Sequence, residues 1–156
     1  MLVRPILEYA MIIWSPRASC STSILESVQR RLMKFLHFKN TNCYPPRGYP
    51  NELLLSETRL DSLETRRNYF YALFGINIVN NKIDCGALLE LLNFRIPRAT
   101  SRSRDIFYID SSRTCVKQDS TTSRICKELN NFSENLDITR VNKTDLRKIY
   151  FKPHHT

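Results

Sequence analysis

Glycine is scarce in this chain, with three among 156 residues. That shortage disfavours glycine-rich loops that cradle phosphates and the tight turns of β-sandwiches. Acids are few as well: 15 Asp and Glu stand against 24 Lys and Arg, a net charge of +9. Such an excess favours a polyanionic partner, nucleic acid before a membrane surface. Paired cysteines are missing. Cys20, Cys43, Cys85, Cys115 and Cys126 lie far apart, with no C-x-x-C pair and no histidine at finger spacing. The odd count and the lack of a cleavable leader predict free thiols in a reducing, intracellular compartment and no zinc site. Nucleus and cytoplasm are not distinguished. The strongly apolar stretch Leu2–Trp14 holds 13 residues, and a bilayer span needs about 20. No membrane association is expected. His154 and His155 sit together without partner ligands after Pro153. No Ser-His-Asp or Cys-His set can be assembled, so no catalytic residue, metal or cofactor is expected.

What is present reads as helix. Leu2–Trp14 has apolar residues in nearly every direction of a helical wheel, and a helix apolar all round calls for burial on every side. The chain therefore reads as the back part of something larger, and the stretch as a surface for self-association once exposed. Pro16 ends that helix. Ser23-Ile24-Leu25-Glu26 has capping-box form and opens a second helix to about His37. Its expected buried stripe is Leu25, Val28, Leu32, Phe35 and Leu36. The two helices read as an antiparallel hairpin over residues 1–39. Asn40–Pro50 carries three prolines and a glycine and reads as a linker. Residues 51–152 read as a helical C-terminal domain, and 153–156 as a tail. Within that domain Asp61-Ser62-Leu63-Glu64 offers a second capping box, opening a long helix to about Asn80. Ile83–Leu92, Ser120–Phe132 and Lys143–Phe151 read as shorter helices. Arg95–Ser112 reads as irregular, with Ile106–Ile109 a candidate strand. The fold expected is mainly α.

Two basic clusters stand out. Arg95, Arg98, Arg102 and Arg104 fall within ten residues with no acid between them. The guanidinium fork suits phosphate oxygens, and the following Phe107 and Tyr108 suit stacking on unpaired bases. Arg30, Arg31 and Lys34 form the second cluster, on the second helix. Arg67 differs, because it shares a wheel face with Leu63, Phe70 and Phe74. A charge on such a face needs an acid partner. Glu8 is the first candidate and Glu26 the second, in a structural ion pair.

A resemblance sharpens these expectations. Arg4-Pro5-Ile6-Leu7-Glu8-Tyr9-Ala10, Trp14-Ser15-Pro16 and Leu25-Glu26-Ser27-Val28-Gln29-Arg30-Arg31 resemble the segment after the polymerase palm in jockey-type LINE (non-LTR) retrotransposon reverse transcriptases. Leu63-Glu64-Thr65-Arg66-Arg67, Lys82-Ile83-Asp84-Cys85 with Leu88-Leu89, Asn93-Phe94-Arg95-Ile96-Pro97 and Arg102-Ser103-Arg104-Asp105 follow in that family's order. The likeness covers roughly residues 3–150. It implies a thumb-like hairpin and post-thumb region that holds RNA template and DNA primer by the backbone. The rest of the polymerase, its palm, would be a packing partner. It also implies no polymerase chemistry in this chain, because two-metal phosphoryl transfer needs clustered carboxylates and no adjacent Asp-Asp pair occurs. The alternative is a stand-alone small basic helical module that binds nucleic acid or another protein.

Overall fold

The structure, a computed structural model, describes residues 3–16, 18–96, 105–133, 138 and 140–151. The described residues form nine helices and no strand, so the fold is mainly α. Two compact units divide the chain, one running to Arg67 and resuming at Phe151, the other Asn68–Tyr150.

The first unit opens with α1 (Val3–Glu8) and α2 (Met11–Trp14). The single helix expected over Leu2–Trp14 is broken, because Ala10 takes the left-handed conformation at φ 52°. That conformation is unfavourable for alanine by about 1–2 kcal/mol. The break accompanies the burial of Met11 and lets the Trp14 indole N–H donate to the Tyr9 carbonyl. Burial on all sides does not occur: Ile6 and Ile13 are 71% and 81% exposed.

Helix α3 (Ser19–Thr41) is longer at both ends than its periodicity suggests. The expected cap at Ser23 lies inside it, where the Ser23 hydroxyl donates to the Cys20 carbonyl. Asn42, left-handed at φ 53°, closes it and donates its N–H to Phe38, a common way of ending a helix. The helix packed along α3 is α4 (Asn51–Thr58), with Leu54 fully buried. The Pro-rich stretch 40–50 also belongs inside this unit. Pro45 is buried, the Arg30 guanidinium donates to the Tyr49 carbonyl at 2.9 Å, and the Tyr49 hydroxyl donates to Glu57 at 2.8 Å. These bonds tie the stretch to α3 and α4, so the units divide at Arg67–Asn68 rather than there.

Helix α5 (Leu63–Val79) starts one residue later than the capping box at Asp61 implies. The Ser62 hydroxyl accepts the Thr65 amide at 3.1 Å, satisfying one of the free donors of the first turn. Asn81, at φ 52°, follows its end.

In the second unit Tyr69, Tyr71, Ala72, Gly75, Ile76 and Ile78 are buried along α5. A Cβ on Gly75 would meet Ile125 Cγ2 at 2.6 Å and Leu129 Cδ1 at 2.9 Å. Glycine there lets α8 (Thr121–Ser133) approach the α5 backbone. The Ser120 hydroxyl accepts the Ser123 amide and caps α8. Helix α6 (Gly86–Glu90) and the single turn α7 (Cys115–Gln118) are short, and α9 (Lys143–Tyr150) buries Leu146. Phe94 and Phe107 form one isolated antiparallel bridge, so Ile106–Ile109 is extended without being a strand. Cys20, Cys43, Cys85 and Cys126 are free thiols. No helix among the described residues is long and apolar enough to cross a membrane.

Candidate nucleic-acid interface

Two chain segments run antiparallel in the second unit and form a short arm. The Arg95 amide donates to the Ile106 carbonyl at 2.7 Å, and the Tyr108 amide donates to Asn93 at 2.8 Å. Between those bonds Phe94 and Phe107 face each other, their rings stacked with centroids 5.1 Å apart. Asn130 on α8 anchors the arm. Its amide oxygen accepts the Ile106 and Phe107 amides at 3.1 and 2.9 Å, and its NH2 donates to the Phe107 carbonyl at 3.0 Å. Asn130 is buried, and these bonds use its capacity well. At the end of the arm Arg95 pairs with Asp105 at 3.0 Å. The residues bracketed by that pair include Arg98, Arg102 and Arg104, which lie outside the described residues.

The arm corrects one expected stacking residue. Phe107 is 1% exposed and packed under Phe94, so it cannot meet a base. Phe94, 60% exposed, presents the outer ring of the stack. Tyr108 is exposed as expected and stands between two hollows of about 270 and 220 Å³. Asn93 and Asp110 line the larger, Arg95 and Asp105 the smaller. Asp110 also binds Lys117 at 2.5 Å, and that hydrogen bond holds the Lys117 ammonium above its ordinary pKa. Sequence reasoning missed Phe94 and Asn130. Alternation in Asn93–Ile96 marks Phe94 as an apolar-face residue, whereas Ile106–Ile109 is apolar throughout and carries no such signal.

The α3 cluster is divided. Arg31 is exposed and Lys34 half-buried. Arg30 is turned inward to Tyr49, with a buried Nε, so its phosphate role is withdrawn. The ion pair assigned to Arg67 and Glu8 is also corrected. Arg67, 7% exposed, donates to Glu26 at 3.2 Å and to the Leu63 carbonyl at 3.1 Å. Glu8 binds the neighbouring Arg66 through both oxygens, Oε2 at 2.6 Å from Nη2. Consecutive helix residues point about 100° apart, so Arg66 reaches one acid and Arg67 the other. Burial raises the Glu26 pKa despite Arg67.

Among the described residues no group of three His, Cys, Asp or Glu side chains is placed to hold a metal ion. Comparison with protein-family models, with curated proteins and with solved structures finds no match to this chain.

Proposed function

We propose that this chain is a non-catalytic C-terminal region of a retrotransposon-type reverse transcriptase that binds template and primer strands. The polymerase assignment rests on the ordered resemblance of the quoted motifs. The binding role is carried by the arm, where exposed Phe94 and Tyr108 stand at the root of the segment holding Arg98, Arg102 and Arg104. Aromatic rings supply sequence-tolerant stacking, and arginines supply backbone contacts that position the strand. Arg95, held by Asp105, keeps the segment's two ends together. In this reading the chain supplies grip and no phosphoryl-transfer chemistry of its own.

Single-stranded oligonucleotide binding to Phe94→Ala and Tyr108→Ala variants tests the arm. Each substitution is expected to weaken binding by about 1–3 kcal/mol, the worth of one stacked base. Affinity unchanged in both variants would overturn the stacking role.

A further inference from the structure

Helix α3 turns a largely polar line inward. Its inward line is Glu26, Gln29, Arg30, Met33 and His37. The four polar members are each bonded within the first unit. Glu26 accepts from Arg67 at 3.2 Å, and Gln29 donates to the Asp61 carbonyl at 2.8 Å. Arg30 donates to Tyr49 at 2.9 Å, and His37 Nδ1 meets Glu57 at 2.6 Å. Rotating the helix to bury its apolar side would break all four contacts.

One edge of the apolar side is therefore held outward, while Leu25, Leu32 and Leu36 beside it are half-buried. Ile24, Val28, Phe35 and Phe38 are 63%, 37%, 52% and 44% exposed. With exposed Arg31 they fall at 24, 28, 31, 35 and 38, the alternating four–three spacing of a seam between helices. The five positions extend over roughly 21 Å at 1.5 Å per residue. Tyr44, also exposed, lies against Phe38 and lengthens the face.

We propose that this face docks an acidic amphipathic helix of another polypeptide segment, with a carboxylate at the seam position opposite Arg31. Charge selects that occupant. Arg31 sits at the centre of the seam, the Lys39 ammonium lies over the Phe35 ring at 5.5 Å, and Lys34 flanks the line. Glu26, the one acid in α3, is committed to Arg67. A second α3 is the wrong occupant. Parallel in-register pairing, and antiparallel pairing centred on the seam, both set Arg31 against Arg31. Nucleic acid is also a poor fit, because Ile24 and Val28 offer no ring on which a base stacks.

The probe is a synthetic helical peptide of about three heptads with leucine along its seam and glutamate at the central seam position and flanks. A matched peptide carries lysine in place of each glutamate. The full chain is expected to bind the acidic peptide saturably and the basic one at least about tenfold more weakly, a gap of about 1.4 kcal/mol. Arg31→Glu is expected to reverse that order, and Val28→Ser with Phe35→Ser to abolish binding of the acidic peptide. All three positions are exposed, so circular dichroism should report an unchanged fold. Absence of saturable binding, or an order unchanged in Arg31→Glu, overturns the proposal. So does a dimer in sedimentation that Phe35→Glu dissolves, since a second copy would then cover the face. Binding to phosphatidylserine vesicles that Val28→Ser with Phe35→Ser abolishes and the acidic peptide does not displace overturns it in favour of a membrane.

Discussion

Arg66 and Arg67 are neighbours that serve different acids. Arg67 is the more buried of the two, and the Glu26 side chain that meets it is 30% exposed. Taking Glu26 out of water is the largest influence on its pKa and raises it. Arg67→Ala removes the counter-charge and is expected to cost about 3 kcal/mol in denaturant melts, near the lower end for a broken buried pair. Arg67→Met with Glu26→Leu should recover much of that loss, because an apolar pair replaces two dehydrated charges. The same Arg67 change combined with Glu8→Leu should give additive losses, since Glu8 answers to Arg66. Losses additive with Glu26 instead would contradict the pairing. The sign with pH follows from the raised Glu26 pKa. The folded state holds that proton more tightly than the unfolded chain. Glu26's own contribution is therefore most favourable below its ordinary value of 4.5 and declines as pH rises through the folded value.

Elements whose capping and burial are local were readable from residues alone. Helices α5, α8 and α9 lie within a residue or two of where spacing and polar caps put them. The facing of α3 was not readable. Apart from Met33, its inward line is polar and finds its partners far along the chain, at Asp61, Tyr49, Arg67 and Glu57. Periodicity reports which side is apolar, and here that side is only partly turned in: Leu25, Leu32 and Leu36 are half-buried while Val28 and Phe35 are exposed. The arm was half legible. Asn93–Ile96 alternates, but Ile106–Ile109 is apolar throughout, and both the pairing of Phe94 with Phe107 and which ring lies inside depend on α8 and Asn130. That dependence makes Asn130 a test of the element. Asn130→Ala leaves the Ile106 and Phe107 amides and the Phe107 carbonyl without the partner they share. At about 1–3 kcal/mol for each buried unsatisfied group, partly relieved by water, the net loss should be about 3 kcal/mol. Amide hydrogen exchange at Ile106 and Phe107 should accelerate well beyond that of the α5 interior. Protection unchanged at both amides would mean that other contacts hold the arm.

Over the whole molecule, the excess of cations is partly consumed by structure. Arg30, Arg66, Arg67, Arg95 and Lys117 all meet a carbonyl or an acid. Arg124 donates to the Tyr71 hydroxyl and lies over its ring. Net charge alone therefore overstates the surface free to meet phosphate, and the nucleic-acid reading narrows to the arginines between Ile96 and Asp105. The mainly helical architecture was legible from the composition and periodicity. The division at Arg67–Asn68 was not, because it falls inside a continuous helix without a break in the residue pattern.

The central claim is that the arm segment grips a nucleic-acid backbone, and salt dependence tests it most directly. Binding of a single-stranded oligonucleotide, measured across a salt series, reports the number of phosphate contacts through the slope of log affinity against log salt. Changing Arg98, Arg102 and Arg104 together to Ala is expected to reduce the magnitude of that slope by about two, at roughly 0.7 per lost contact. A triple variant with the slope of the native chain would contradict the account.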